Sequence, residues 1–476
     1  MKSSDPLLEA WEKTVARKRG AAAVFATSGE VLRTFGEIEQ RTHDLLPSSD
    51  VLHEREVLAV QIGNHADWPS ILIGCLRRHL VVLPLEQSIS ERQRDEALQI
   101  CKVKAVAPAV PGGSTSEIIR LRAADTTPDW GESPPNLLKL TSGTTARPRA
   151  IRFRSEQLLA DCDQICETMG ITDADLNFGV IPISHSYGFS NLLTPLIARG
   201  VPMVISRDRT PRAILADLVR SNATVFPGMP VFYQAFCEME DVPVLPKLRL
   251  CISAGAPLPI AIAKRFQEKF NLPIHSFYGA SECGGICYDR EATNRSEGFV
   301  GEAMKGVNLE VADSKGSASQ IRVHSVAVGD GYFPELDEEK LSNGIFVPDD
   351  LLARDGAGFK IVGRISDVIN VAGKKVNPAE VETHLLRFSG VLQAVVFGRP
   401  AGAGALRNEE VAACVVAGPE VNETNLLQFC RGTLSSWQVP KRIFIVDAIP
   451  ASERGKISRR DLAQRFSTSR ERYPLP

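Results

Sequence analysis

Leu138-Lys139-Leu140-Thr141-Ser142-Gly143-Thr144-Thr145-Ala146-Arg147-Pro148-Arg149 joins an apolar strand to a run of small, mostly hydroxylic residues and ends on a cation. Hydroxyls and backbone N–H groups on a tight turn can surround phosphate oxygens, and Arg149 can neutralise part of their charge. It is not a Walker A loop, since no G-x-x-x-x-G-K-[ST] occurs in the chain. By composition alone, a solvated Ser/Thr turn describes it equally well.

Outward from this loop, short β-branched runs alternate with helical patterns, which argues for α/β layers. Val57 to Ile62, Val81 to Leu85, Val201 to Ile205 and Leu248 to Ser253 are such runs, separated by amphipathic segments such as Pro211 to Arg220. A length of 476 residues exceeds one ordinary core. Strand and helix patterns restart after Gly363-Arg364-Ile-Ser366-Asp367, through Val391 to Phe397, Val411 to Val416 and Ile443 to Val446. The expected fold is α/β, with a large multi-subdomain N-terminal domain over 1–362 and a small α+β domain over 368–476.

A formal net charge of −2 supplies no basic field for a nucleic acid. The acidic, amphipathic start lacks the pattern of a signal peptide. Apolar runs such as Leu192 to Ile205 are broken by Pro195, Arg199, Gly200 and Pro202, so none reads as a membrane span. These features predict a soluble, cytoplasmic protein. The ten cysteines sit in apolar contexts and read as small buried hydrophobes. Cys162/Cys166 and Cys283/Cys287 have helical spacing, but no further pair completes a zinc set.

Further segments follow the loop in order. They are Ile181-Pro-Ile-Ser184-His185-Ser186-Tyr187-Gly188-Phe189, Ser253-Ala254-Gly255-Ala256-Pro257-Leu258, Phe277-Tyr278-Gly279-Ala280-Ser281-Glu282, Val347-Pro-Asp349-Asp350 with Gly363-Arg364, and Pro450-Ala-Ser-Glu-Arg-Gly455-Lys456. Together with Leu32-Arg-Thr-Phe-Gly-Glu-Ile-Glu near the start, they resemble the adenylate-forming superfamily of acyl- and aryl-CoA synthetases, carrier-loading adenylation domains and luciferases. The resemblance covers nearly the whole chain.

It implies a role for each segment. Thr141, Ser142, Gly143, Thr144, Thr145 and Arg149 would hold ATP phosphates, and Gly255, Ala256 and Pro257 would lie against adenine. Tyr278 would stack on that ring, with Gly279 and Ala280 beside it and Ser281 on the α-phosphate. Glu282, with Thr144, would hold Mg²⁺. Asp350 and Arg364 would take the ribose. His185, Tyr187, Gly188, Phe189, Phe226, Gly228, Ala254 and Phe277 would line an acyl pocket. Lys456 would reach the site during adenylation. The segment 363–367 would be a hinge at Ser366, about which the small domain turns to present Ala372-Gly373-Lys374 to a thiol. Plain structural readings exist for most of these residues: a core histidine at 185, a helix- or turn-capping Asp350, a solvated Lys374.

Three positions depart from the family pattern. Ala146 and Arg149 stand where Gly and Lys are common, so the loop offers a planar fork in place of a point charge. Ser366 stands where Asp or Lys is common. The implied reaction uses ATP and CoA as co-substrates with Mg²⁺. A carboxylic acid, already ionised near neutral pH, attacks the α-phosphate, and the acyl group of the adenylate then passes to a thiol. The pocket residues, uncharged apart from His185, favour a fatty or aryl acid. The alternatives are an enzyme that loads a carrier protein in trans and a ligand-binding relative with impaired catalysis. The chain would act as a monomer or homodimer.

Overall fold

Pro6, Pro211, Pro230 and Pro378 each begin a helix, where a missing N–H costs nothing, and Gly170, Gly200, Asn222 and Asn271 end helices in the left-handed conformation. The computed structural model describes residues 5–44, 52–108, 119–120, 127–141, 149–311, 318–371, 374–400, 409–450 and 457–466. The chain falls into two units. The first comprises Met1–Val311, Arg322–Pro348 and Asp355–Phe359, and the second Ala312–Ile321, Asp349–Arg354 and Lys360–Pro476. The second unit thus takes two short segments from before residue 360, because Ser319 pairs with Leu352 and Gln320 with Leu351.

The first unit runs through strands β1 (Ala22–Ala26), β2 (Val31–Thr34), β3 (Val57–Gln61), β4 (Val81–Pro84), β5 (Val103–Pro108), β6 (Ile119–Arg120), β7 (Leu137–Leu140) and β8 (Ala150–Phe153). It continues with β9 (Asn177–Gly179), β10 (Met203–Ile205), β11 (Val225–Gly228), β12 (Leu250–Ser253), β13 (Ile274–Ala280), β14 (Gly284–Tyr288) and β15 (Phe299–Ala303). One sheet has the order Gly331–Phe333, β8, β7, β4, β3, β5, β6. Its parallel strands β3 and β4 are apolar almost throughout and buried on both faces, as crossover-connected strands must be.

The other sheet contains the parallel run β1-β10-β9-β11-β12-β13, followed by antiparallel β14 and β15. From β9 the chain moves to β10 on one side, then crosses back to β11 on the other. That reversal is a topological switch point, and the crevice outside the carboxyl ends of such strands is where ligands bind in open α/β sheets. An aromatic core of Phe178, Phe226, Phe232, Tyr233, Phe236 and Phe266 packs against this sheet.

In the second unit, Val391–Pro400, Glu409–Ala417 and Arg442–Ile445 form a three-stranded sheet. Alternate residues face opposite ways: Val396, Val411, Ala413 and Val415 meet helices Pro378–Leu385 and Glu423–Thr433, while Val395, Phe397, Ala412 and Cys414 meet Leu462 of helix Arg459–Arg465. All ten cysteines are buried and free, as their apolar contexts predict. No described helix is long and apolar enough to cross a membrane. The α/β class, with a large N-terminal and a small C-terminal part, is the one expected from the sequence.

Candidate active site

The carboxyl ends of β9, β11, β12 and β13 bring the expected pocket and nucleotide segments to one edge of one sheet. After β9 the chain turns at Pro182, whose carbonyl accepts from the His185 amide at 3.0 Å. His185 then caps a short helical turn, its Nδ1 accepting from the Tyr187 amide at 3.2 Å. Gly188 is required there, because a Cβ would lie 2.1 Å from the Pro182 carbonyl oxygen. Tyr187 leans across the switch point. Its hydroxyl donates to the Gly228 carbonyl at the end of β11 (3.3 Å), and its ring lies 5.8 Å from that of Phe277 in β13. The same Gly228 carbonyl accepts from the Ala254 amide at 3.2 Å. Phe189 and Phe226 are fully buried, and the Phe226 ring belongs to the aromatic core.

Gly255, Ala256 and Pro257 follow β12 as an exposed turn, with Gly255 at φ +85°, a conformation that favours glycine. Tyr278 is buried within β13, and Gly279 beside it is exposed. A Cβ on Gly279 would meet the Gly284 carbonyl at 2.6 Å, so the β13–β14 hairpin that carries Ser281 and Glu282 closes tightly.

In the other sheet the expected phosphate loop connects antiparallel β7 and β8. Thr141 and Arg149 close its neck: the Arg149 carbonyl accepts from the Thr141 amide at 2.9 Å and from the Thr141 hydroxyl at 3.2 Å. The Arg149 guanidinium lies 4.3 Å over the Tyr332 ring and 3.4 Å from the Asp337 carboxylate. The Tyr332 hydroxyl in turn donates to Oε1 of Glu282 at 3.1 Å. Burial, then the Glu282 charge, raise the Tyr332 pKa well above the ordinary phenol value, so the hydroxyl stays a donor.

Beneath this arrangement Lys139 is buried, its Nζ 4.5 Å from the Phe153 ring and 5.7 Å from that of Phe189. Burial lowers its pKa, and the charges of Asp161 and Glu282 work against that shift. Asp161 is itself buried and accepts from the Gly285 amide at 3.0 Å. Lys139, Tyr332 and Asp337 are neighbours that motif comparison passes over. Only the combination of an aromatic body and a polar tip marks Tyr332 in the sequence as suited to a place with one apolar and one polar side.

In the second unit, Arg364 Nε donates to Oδ1 of buried Asp350 at 2.5 Å. Lys374 Nζ lies 3.6 Å over the Trp437 ring. Ser366 sits in a 3₁₀ turn over Ile365–Asp367, and Asp367 accepts from Arg459 at 2.6 Å. Ser142, Gly143, Thr144, Thr145, Ala372, Gly373 and Lys456, like the side chain of Ser366, lie outside the described residues.

The donor set fits a hard cation of one kind. Among the described residues no group of three or more His, Cys, Asp or Glu could hold a metal alone. Mg²⁺, however, is commonly bound by one or two carboxylates together with substrate phosphates, a mode that a single Glu282, joined through Tyr332 to Arg149, would fit.

Residues 11–333 match the family model of the AMP-binding enzymes, and residues 380–456 that of the AMP-binding enzyme C-terminal domain. The chain belongs to the AMP-binding enzymes. This AMP-binding enzyme is 27% identical to a probable CoA ligase, CCL9, of Humulus lupulus, with 90% of each chain covered. It is 26% identical to an oxalate–CoA ligase of Arabidopsis thaliana, over 95% of this chain and 97% of that one. Its fold is that of ATP-bound MatB from Rhodopseudomonas palustris, with a TM-score of 0.83 at 23% identity, covering 97% and 99% of the two chains.

Proposed function

We propose that this AMP-binding enzyme activates an apolar carboxylic acid, fatty or aryl, as its adenylate and passes the acyl group to CoA. In the first half-reaction a carboxylate oxygen bonds to the α-phosphorus as the bond to pyrophosphate breaks. In the second, a thiol sulfur bonds to the acyl carbon as AMP leaves. The observation that carries the choice of acid is the uncharged wall at the switch point, where Tyr187 bridges Gly228 and Phe277. An amino acid would need a carboxylate for its ammonium there, and oxalate a second cation.

Charge is handled away from that wall. Arg149 and the hydroxyls of Thr141, Ser142, Thr144 and Thr145 meet the phosphates, and Glu282, with Thr144, holds Mg²⁺, which when bound neutralises developing phosphate charge. Tyr278 and the Gly255-Ala256-Pro257 turn take adenine. Asp350, kept oriented by Arg364, accepts from the ribose hydroxyls. In this reading residues 1–362 and 368–476 are the two working domains, joined at 363–367. Lys456 serves adenylation, and Ala372-Gly373-Lys374 serves the thiol step. The enzyme would work in the cytoplasm as a monomer or homodimer.

ATP–pyrophosphate exchange over a panel of fatty, aryl, amino and short dicarboxylic acids tests the acid, and acyl-CoA analysis tests the acceptor. An apolar acid is expected to give the highest kcat/KM, with acyl-CoA accumulating. Preference for an amino acid or for oxalate would refute the pocket reading. Adenylate and pyrophosphate without acyl-CoA would replace CoA by a carrier protein.

A further inference from the structure

Tyr332 stands between two charged groups that the proposed chemistry uses. Its backbone is fixed by register: Tyr332 pairs with Ile151 and Phe333 with Ala150, the first residue of β8 after Arg149. Ring and guanidinium are therefore held by the same two strands, and Asp337 holds the far side of the Arg149 fork at 3.4 Å. On its other side, the backbone just before Tyr332 is tied to the Glu282 residue as well, through the Gly329 amide and the Glu282 carbonyl at 2.9 Å. Packing alone would be served by phenylalanine. The buried hydroxyl, 3.1 Å from the Glu282 carboxylate, adds a directed bond to a charged group.

We propose that Tyr332 is a positioning residue for adenylation: its ring orients Arg149 and its hydroxyl orients Glu282, so one side chain sets the spacing between the phosphate-binding cation and the metal-binding carboxylate. This rests on the roles proposed above for those two residues. The two functions separate chemically. Tyr332→Phe removes only the hydroxyl, and Tyr332→Leu removes the aromatic face as well.

The test measures ATP–pyrophosphate exchange against ATP and against Mg²⁺ in both variants. Mn²⁺ bound with a nonhydrolysable ATP analogue is followed by its EPR signal, and Arg149→Met and Glu282→Gln serve as references. Tyr332→Phe should raise the Mg²⁺ half-saturation and weaken Mn²⁺ binding about tenfold, as loss of a bond to a metal ligand does. KM for ATP at saturating Mg²⁺ should stay within about twofold, since the cation–π contact is kept. Tyr332→Leu should add a rise in that KM of about fivefold, in the direction of Arg149→Met. Conversion of presynthesised acyl-adenylate and CoA to thioester should not change in either variant. If Glu282→Gln shifts the metal dependence and Tyr332→Phe does not, the proposal fails while the role of Glu282 stands. If Glu282→Gln itself leaves Mg²⁺ and Mn²⁺ binding unchanged, the role of Glu282 falls and the proposal with it. Equal losses in every parameter, matched by a lower melting temperature, would make Tyr332 a packing residue and overturn the proposal.

Discussion

Asn64, at the end of a strand of one sheet of the first unit, draws its side-chain partners from the other. It follows β3, and its amide nitrogen lies 2.8, 3.1 and 3.2 Å from the carbonyls of Gly179, Ile181 and Ser206, while its oxygen accepts from the Ile183 amide at 2.8 Å. The side chain is buried, so water cannot readily replace it. Replacement by alanine should therefore destabilise the protein by about 3–5 kcal/mol, the cost of several buried backbone groups left unpaired. Urea unfolding of Asn64→Ala checks this, and a loss below about 1 kcal/mol would show that relaxation or water satisfies those groups. Nothing near Asn64 in the sequence announces such a role, because its partners lie at least 115 positions away. Lys139 is similar: a lysine in a strand reads as an exposed charge until Phe153, Phe189 and Asp161 are brought round it. Glu282 and Tyr278, by contrast, lie in a local motif that names them.

At the scale of elements, the two edges of the parallel sheet are used differently. The carboxyl edge carries the proposed pocket. At the amino edge, Asp175, just before β9, accepts from Thr224, just before β11, at 2.9 Å and from Arg249, just before β12, at 2.7 and 2.6 Å. The three strands whose far ends form the switch-point crevice are thus tied at their near ends by one carboxylate. Burial works against its ionisation, but Arg249, the Thr172 amide and the Thr224 hydroxyl together hold its pKa below the ordinary value. The folded state consequently binds a proton there less readily than the unfolded chain. The stabilisation is present in full above the unfolded pKa of about 4 and is lost as pH falls through the lower folded value. Asp175→Asn should cost about 2 kcal/mol at pH 7, kept modest by the half-exposed Arg249, and the gap from wild type should narrow as pH drops below about 4. Denaturant melts between pH 7 and pH 3 measure that gap; a difference independent of pH would remove the carboxylate's charge from the account. The strands and helices themselves were legible from hydrophobic runs and terminal prolines, whereas this tie was not, since it joins three loops.

For the whole molecule, the order of motifs along the chain was enough to indicate the fold and the kind of chemistry. The division into units was less legible, because Ser319 and Leu352 pair across a long interval and carry two short segments into the second unit. Strand pairing of this kind leaves no local mark on composition. If Lys456 meets charge only as the adenylate forms, Lys456→Ala should slow exchange by roughly 10² to 10³, the usual effect of deleting one charge-stabilising donor. Thioester formation from presynthesised acyl-adenylate should then proceed near the wild-type rate. Equal loss in both assays would assign Lys456 to both half-reactions or to folding, and near-normal exchange would remove it from catalysis.

The neck formed by Thr141 and Arg149 bears on how far the sheet depends on the residues between them. Both of its bonds end on a main-chain carbonyl, one donated by a main-chain amide and one by the Thr141 hydroxyl, so the arginine side chain takes no part in the closure. The frame therefore does not depend on the identity of the Arg149 side chain. A corresponding segment from another AMP-binding enzyme could be spliced between the same two anchors as an exchangeable cassette, without asking the sheet to refold.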